Sequence, residues 1–458
     1  MLTVNAKDFG LISDIDELQH SKIQCAIDTC FKAGGGEVII PKGKYRLGDI
    51  RIRSNITLRL ESGAYLMGSN DPQDYFNYLN DTVEPLDPSR ITDAPYVHLS
   101  TIHGETEYNE NDPNYRFRRL PGSRWNNALI RAIDAKNIKI IGQRDSVIDG
   151  MNCFDAVGEE LYRGPHGICF YNCESIELSG YTIRQTGNWA HWLLFSKNIT
   201  MDGILVTEGH DGVDFFDCTN ATVTNCEFYT GDDCIAGFGN LNVYVSDCIL
   251  NSSCSAFRFG GTNVYVERCH MYGPGKYCFR GSLTPEEKAA SAPSQLEGHR
   301  NNMLSVFTYY SDYSMPIPFL PGNIVINDCT FDNADRFLHF NFSGNETWQR
   351  YRPLNSIEFR NIKATDIRMP LNLYGKKGEE VSLTLRNVDI AIAPNMENRS
   401  LIHACNFNRI LLDDVKVTGK LNSLVHKWSD GDIVTKNVEC DTNETFTVAT
   451  EVFRTDHV

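Results

Sequence analysis

Three aspartates have a spacing that suits acid–base chemistry. Asp211 and Asp232 are 21 residues apart, and Asp233 follows directly. A coil of about 22 residues per turn would bring the three carboxylates into one patch. One such aspartate beside glycine would indicate only a turn, but three on one repeat favour a site. Clustered carboxylates repel one another, so the pKa of at least one should rise, leaving a general acid beside ionised bases. A protonated carboxyl group beside an ionised one can protonate a leaving oxygen and activate a water at a sugar acetal.

The chain around the aspartates repeats with the same period. Short, alternating, β-branched segments begin near Asn at 220–226, 242–248, 263–269 and 323–329, with looser copies beginning near 176, 198, 356, 382, 410 and 433. The segments are too short for helical repeats and lack the Leu-x-x-Leu-x-Leu pattern of leucine-rich repeats. The repeat therefore predicts an all-β fold, a parallel β-helix, whose turns stack about 4.8 Å apart.

Cysteines close the best copies of the repeat. Cys226, Cys248 and Cys269 are 22 and 21 residues apart, and Cys329 ends the next copy. Their positions predict an internal ladder of small apolar side chains, with a metal or disulfide role as the alternative. The 15 cysteines are odd in number and include no Cys-x-x-Cys pair, which indicates reduced thiols.

The ends and interruptions of the repeat predict how a groove is built. Residues 16–32 have helical periodicity and precede three glycines, so we expect a helix that caps the open edge of the first coil. Residues 70–127 and 282–322 break the repeat, and long loops in a solenoid are usually functional. We expect both insertions to wall a groove within a single β-helix domain, residues 1–458.

Composition restricts the partners and the compartment. Net charge is −16 and the pI is near 5.2, which argues against nucleic acid and means that an acidic substrate needs a local basic patch. No run of 18 apolar residues predicts a membrane helix. The first residues lack the basic and apolar regions of a signal peptide. These features predict a cytoplasmic protein with no membrane partner.

The ordered motifs resemble those of the polygalacturonase-like glycoside hydrolases, the pectin-degrading enzymes of family twenty-eight. That family's pattern is Asn-x-Asp-Gly-x-Asp, then Gly-Asp-Asp one coil later, then Gly-His-Gly and Arg-x-Lys. Residues 210–214 and 231–233 match the first two motifs. Residues 163–173 resemble the family's Arg-Pro-x-x-Ile-x-Phe strand, and 187–192 resemble its Ser-Pro-x-Trp-x-x-His segment. The resemblance covers about residues 5 to 280.

The resemblance implies a right-handed parallel β-helix and inverting hydrolysis of an oligo- or polysaccharide without a metal or other cofactor. Asp232 would protonate the leaving oxygen, and Asp211 and Asp233 would position and deprotonate the attacking water. Inversion requires acid and base to be separated by about 6.5–9.5 Å.

The chain departs from the family pattern after the second motif. Ser253-Cys254-Ser255 stands one coil beyond Asp233, where the family has Gly-His-Gly, and no Arg-x-Lys is recognisable. Gly209 replaces the first Asn, and His210 beside it could supply an imidazole. Arg258 and Arg280 are the candidates to hold a sugar acid, because arginine grips a carboxylate with two hydrogen bonds. Either could instead pair with an aspartate. These departures predict a sugar other than the family's usual one.

Large aromatic residues precede the first aspartate. Trp189, His191 and Trp192 fall within four positions, and three large residues in a strand cannot all point inward. We therefore expect at least one of them to face the groove as a sugar-stacking wall, with Trp189 and His191 as substrate contacts. Cys254 is a poor candidate nucleophile, because neighbouring carboxylates disfavour a thiolate.

Two alternatives remain open. A β-helix lyase or epimerase would remove a proton α to a uronate, using a basic Arg or Lys and often calcium held by aspartates. A non-catalytic carbohydrate-binding solenoid would explain the missing motifs. Retention of all three aspartates argues against the second alternative.

Overall fold

The computed structural model describes residues 2–75, 127–290, 297–309, 321–342, 353–442 and 444–453. The chain forms two compact units. Unit 1 consists of Met1–Val97, Asn109–Asp232 and Tyr277–Arg300, and unit 2 consists of His98–Tyr108, Asp233–Lys276 and Asn301–Val458. Among the described helices, none is long and apolar enough to cross a membrane.

Unit 1 is built from short strands that pair in parallel with strands one coil away, except the strand Phe154–Glu159, where Phe154 bridges Arg163 in the antiparallel sense. Its strands are β1 Leu2–Asn5, β2 Gly36–Ile40, β3 Gly43–Leu47, β4 Ile50–Arg51, β5 Ile56–Leu60, β6 Ala64–Gly68, β7 Ala128–Ile133, β8 Lys136–Ile141, β9 Val147–Asp149, β10 Phe154–Glu159, β11 His166–Tyr171, β12 Glu174–Ser179, β13 Thr182–Arg184, β14 His191–Leu194, β15 Lys197–Asp202, β16 Leu205–Thr207, β17 Val213–Phe216, β18 Thr219–Thr224 and β19 Glu227–Thr230. The helices of this unit are α1 His20–Lys32 and α2 Pro285–Ala289, with 3-10 turns at Ala6–Phe9, Pro72–Asp74 and Arg280–Ser282.

Unit 2 continues with longer strands, again paired in parallel. They are β20 Ile235–Ser246, β21 Ile249–Ser252, β22 Ser255–Glu267, β23 His270–Tyr272, β24 Met303–Tyr309, β25 Gly322–Asn341, β26 Ser356–Ile367, β27 Leu371–Tyr374, β28 Val381–Ile392, β29 Ser400–Cys405, β30 Phe407–Lys420, β31 Ser423–Lys427, β32 Asp432–Asp441 and β33 Phe446–Val448. One 3-10 turn lies at Pro394–Met396.

The sequence repeat is the structural repeat. In unit 2 one column of apolar residues stacks rung on rung through Val243, Val264, Ile324, Ile357, Leu383, Ile410 and Ile433. In unit 1 the equivalent pairing joins Ile176 to Ile199 and Ile199 to Ala221. Both columns are buried except at Ile433, which is partly exposed. The predicted parallel β-helix is therefore confirmed as the fold.

Asparagines and cysteines mark the bends of the coil for physical reasons. Asn198 and Asn220 in unit 1 adopt left-handed φ values of 57° and 58°, which asparagine tolerates, and their amides hydrogen-bond each other at 3.0 Å. The predicted ladder cysteines are buried, and each Sγ donates to the carbonyl two residues earlier at 3.1–3.3 Å. All 15 cysteines are free thiols, so packing explains the ladder.

The capping helix begins later than the sequence indicates. Helix α1 spans His20–Lys32 rather than 16–32, because other contacts hold the residues before it: Ile15 bridges Tyr45, and the Gln19 side chain bonds both backbone groups of Ile12. The helix buries one face, formed by Ile23, Ala26, Ile27 and Cys30, and it contacts β1, β2, β4 and β5.

The second predicted insertion is partly a coil. Residues 303–309 form β24, which pairs in parallel with β22 and stacks Phe307 on Phe257 with ring centroids 5.8 Å apart. The alternation of Met303, Ser305 and Phe307 carries the strand signal that the polar surroundings obscure. Residues 76–126, 291–296 and 310–320 lie outside the described residues, so the groove walls stay a prediction.

Candidate active site

Asp211 lies in unit 1 on a turn that the preceding coil fixes. The turn joins β16 to β17, and Asp211 is only 6% exposed. Its carbonyl accepts a hydrogen bond from the Ala190 amide at 2.8 Å, and the carbonyl of Gly212 accepts one from His191 Nδ1 at 2.9 Å. Two residues one coil earlier therefore hold the backbone at Asp211 and directly after it.

Glycine is required where the related motif has asparagine. Gly209 has a φ of +72°, and a Cβ on it would stand 2.8 Å from the Thr186 hydroxyl oxygen. The carbonyl of Thr186 accepts a hydrogen bond from Arg280 Nη1 at 2.9 Å. Glycine at position 209 thus leaves room for the side chain of Thr186, the residue whose carbonyl bonds Arg280.

Asp232 forms an ion pair that the sequence did not predict. Arg163 Nη2 lies 3.5 Å from Asp232 Oδ2, while Arg163 Nε bonds Glu160 at 2.9 Å and Nη1 bonds Asn188 at 3.2 Å. Burial alone would lower the pKa of Arg163, but the charges of Glu160, Asp232 and Asp211 raise it well above its usual value. Arg163 therefore lies in the field of both catalytic candidates of unit 1.

Asp233 lies in unit 2 and is fully buried. Its Oδ1 accepts the Ser255 amide at 2.9 Å, and its Oδ2 lies 3.9 Å from Arg258 Nη1. A carboxylate oxygen of Asp233 lies within 4.8 Å of the Cys254 sulfur. Cys254, which stands where the family has the histidine of Gly-His-Gly, is therefore close to the Asp233 carboxylate. Arg258 thus pairs with an aspartate, as one of the two interpretations of it predicted. That Asp233 joins Asp211 and Asp232 in one patch stays a prediction.

His210 is buried among cations in unit 1. Its ring is 0% exposed, its centroid is 5.6 Å from that of Tyr162, and neither ring nitrogen has a hydrogen-bond partner in the described part of the chain. Burial lowers the pKa of His210 well below its usual value, and the charges of Arg163 and Arg280 lower it further. His210 is therefore a neutral imidazole.

Arg280 and Lys288 bring positive charge to the same region. Arg280 is 3% exposed, and burial lowers its pKa to about 10. Lys288 lies on α2, and its Nζ is 4.2 Å from the centre of the Tyr162 ring. Sequence reasoning missed Tyr162, Arg163 and Lys288. Arg163 opens the 163–173 motif and could have been found there, whereas Lys288 lies in a non-repeating segment with no signal.

The predicted aromatic wall is wrong for His191. His191 is fully buried: its Nδ1–H donates to Gly212, and its Nε2 accepts from the Tyr181 hydroxyl at 2.9 Å. It positions the Asp211 turn instead of contacting substrate. Trp192 is also fully buried and Trp189 is 6% exposed, so none of the three is an open surface. The ring of Trp189 packs against those of His166, Trp192 and Phe216.

The buried histidines predict a pH dependence of stability. Burial lowers the pKa of His191 from 6.5 to about 4, so the unfolded chain takes up the proton first as the pH falls. His191 should stabilise the fold fully above about pH 6.5 and lose up to about 3 kcal/mol of that stability as the pH falls to about 4. Urea midpoints of wild type and His191→Phe over this range measure the effect. If the urea midpoints of the two proteins changed equally with pH, this prediction would be contradicted.

The comparisons with known proteins agree first on the class of fold. A family model described as "Right handed beta helix region" matches residues 123–278. A hyperthermoactive exopolygalacturonase of Thermotoga maritima superposes with a TM-score of 0.60 at 17% identity, covering 96% of this chain and 92% of that chain. A family 28 exopolygalacturonase of Yersinia enterocolitica gives 0.58 at 18% identity, covering 99% and 79%. The molecule is a right-handed parallel β-helix.

Sequence comparison finds similar proteins that act on uronate-containing polysaccharides, by the names they carry. A probable polygalacturonase of Vitis vinifera is 25% identical over 242 residues, 50% of this chain and 43% of that protein. An exo-poly-α-D-galacturonosidase of Dickeya chrysanthemi is 25% identical over 272 residues, 52% and 42%. A mannuronan C5-epimerase of Azotobacter vinelandii is 42% identical over 65 residues, 14% and 4%. The chain spans less than half the length of these curated relatives. Over about half of its length the chain is therefore similar in sequence to polygalacturonases.

Proposed function

We propose that this protein hydrolyses a glycosidic bond in a uronate-containing oligo- or polysaccharide, with inversion at the anomeric carbon. The observation that carries the proposal is the pair Asp211 and Asp232 arranged around one buried arginine, Arg163. The names of the galacturonan-acting relatives support a pectin-like substrate.

In this mechanism Asp232 donates the proton to the leaving oxygen. Asp211, with Asp233, orients and deprotonates the water that attacks the opposite face of the sugar. The His191 hydrogen bond to Gly212 keeps the Asp211 carboxylate in place during the reaction. No part of this sequence of steps needs a covalent sugar intermediate.

A uronate suits the charges near the site. The chain as a whole carries −16, which repels an acidic glycan, yet Arg163, Arg280 and Lys288 place three cations close to Tyr162 and His210. An arginine grips a carboxylate through two parallel hydrogen bonds. Because the Gly-His-Gly and Arg-x-Lys motifs are missing, we propose a sugar acid held differently from galacturonate in the family, and we propose exo action.

The proposal is tested with purified oligogalacturonides and other uronate-containing oligosaccharides. Proton NMR of the first turnover reports the anomer released, and inversion is the expected result. A retained anomeric configuration would contradict the mechanism, and random internal cleavage of a polymer would contradict exo action. The same screen with no product from any substrate would favour a binding solenoid.

A lyase or epimerase is the second candidate. The local match to a mannuronan C5-epimerase favours it, as does Arg258 next to Asp233, because proton removal beside a carboxylate needs a cation to stabilise the charge that develops. Unsaturated products that absorb in the ultraviolet, or activity abolished by a calcium chelator, would select this candidate over hydrolysis.

A further inference from the structure

Four side chains of unit 1 surround one tyrosine, Tyr162, and we call the five together the donor pocket: Tyr162, Arg163, His210, Arg280 and Lys288. The Tyr162 ring centre is 5.6 Å from the His210 ring centre, 5.9 Å from Arg163 Cζ and 4.2 Å from Lys288 Nζ. Arg280 lies near enough for its charge to act on Tyr162 and His210. Lys288 is half-buried, and the other four are buried.

The donor pocket contains buried polar groups without partners among the described residues. Within the described residues, the Tyr162 hydroxyl, both His210 ring nitrogens and Arg280 Nε have no hydrogen-bond partner. Neither Arg280 nor Lys288 forms an ion pair with a described carboxylate. Each buried polar group left unsatisfied costs about 1–3 kcal/mol. Such a concentration of donors and cations is complementary to an anion with several oxygens.

Arg163 connects the donor pocket to the acid of the proposed reaction. It is shared between Glu160 at 2.9 Å and Asp232 at 3.5 Å. A neighbouring guanidinium stabilises the ionised form of a carboxyl group. A general acid must instead be protonated before it can serve the leaving oxygen. The ion pair with Arg163 therefore favours the ionised carboxylate of Asp232, which is the form that cannot act as the acid.

We propose that the donor pocket binds a carboxylate of the substrate and that this carboxylate arms Asp232 by drawing Arg163 away from it. This rests on the proposed function. The bound carboxylate accepts hydrogen bonds from Tyr162, His210 and Arg280 and takes over the charge of Arg163. Asp232, left beside the negative charge of Asp211, takes one proton from solvent and later gives it to the leaving oxygen. A neutral sugar has no carboxylate to draw Arg163 away. The protein therefore discriminates between sugar acids and neutral sugars in the chemical step as well as in binding.

Other titratable groups face the same region and must be separated from Asp232 in the test. They are Glu160, His166, Glu208 and Asp211, together with His210 itself. A carboxylate bound next to His210 could also protonate that ring. The variant Asp232→Asn removes only the carboxyl group at position 232. It therefore separates proton uptake by Asp232 from proton uptake by the other groups.

The experiment is calorimetric titration of the full chain with D-galacturonate and D-galactose at about pH 6, above the ordinary carboxyl range. Running it in two buffers of different ionisation enthalpy gives the number of protons taken up. We expect galacturonate to bind with uptake approaching about one proton per molecule. Asp232→Asn should bind it with almost no uptake, and Tyr162→Phe, which removes one hydroxyl, should bind it about 10-fold more weakly.

The proposal would be overturned by a lack of galacturonate binding, by equal binding of galactose, or by proton uptake that persists in Asp232→Asn. Uptake that persists would assign the proton to one of the other titratable groups named above, such as His210. Binding without uptake in wild type would also overturn the switch. Because none of these measurements needs turnover, failure of the switch is distinguishable from failure of hydrolysis, which the product NMR decides independently.

Discussion

Asp232→Asn is expected to lower the turnover number by about 10²–10⁴-fold, the usual contribution of a positioned general acid. The amide has the size of the carboxyl group but cannot give a proton to a leaving oxygen. It can still lie against Arg163, which is 3.5 Å away in the wild type, so the fold and substrate binding should persist. Initial rates on the best oligosaccharide, with KM determined separately, measure the effect.

The position of the carboxylate can be separated from its chemistry. Asp202→Asn makes the same change on β15, where the carboxylate accepts hydrogen bonds from Thr224 at 2.6 Å and Asn225 at 2.7 Å. This control should leave turnover unchanged. A substrate with an activated leaving group needs little protonation, so Asp232→Asn should lose far less activity on it. Equal loss on both substrates would argue that Asp232 is not the acid.

His191→Leu is expected to cost about 2–6 kcal/mol of stability and to reduce turnover by about 10–100-fold. The change leaves two buried groups, the Tyr181 hydroxyl and the Gly212 carbonyl, without the imidazole that joins them. Each unsatisfied group adds to the cost. The loss in turnover follows because Gly212 is the residue after Asp211, so its backbone sets the direction of the carboxylate.

Denaturation midpoints and rates are measured on the same preparations. His270→Leu serves as the control, because His270 is exposed and its ring forms a hydrogen bond with the Thr330 hydroxyl at 2.8 Å, far in sequence from the Asp211 turn. Tyr181→Phe should fall between wild type and His191→Leu in stability and leave turnover closer to wild type, since the Gly212 bond remains. A His191→Leu protein with normal rates would show that the Asp211 turn does not depend on the imidazole.

The coil was predictable because its signal is periodic. Alternating β-branched residues repeat at a spacing that places aliphatic residues of successive coils on top of one another. The column from Val243 to Ile433 shows that stacking. Left-handed asparagines such as Asn220 mark the bends locally, so the positions of the turns also follow from the sequence. Both signals act between equivalent residues of adjacent coils and need no knowledge of the rest of the chain.

The role of His191 was not predictable in the same way. Alternation shows that His191 and Leu193 share one face of β14 and that Trp192 lies on the other. It does not show whether other parts of the fold cover both faces. His191 and Trp192 are each 0% exposed, so both faces of this strand are covered, and the expected open face is absent at these two residues.

The sequence by itself determined the period, the parallel coil and the turns that carry Asp211, Asp232 and Asp233. Tertiary structure decided which charges meet those turns. Arg163 and Lys288 come from segments between or beyond the strands, and their approach to Tyr162 and His210 depends on how those segments close back onto unit 1. Loop closure has no period, and each loop residue contacts side chains distant in sequence. The donor pocket therefore appears only when the folded chain brings its parts together.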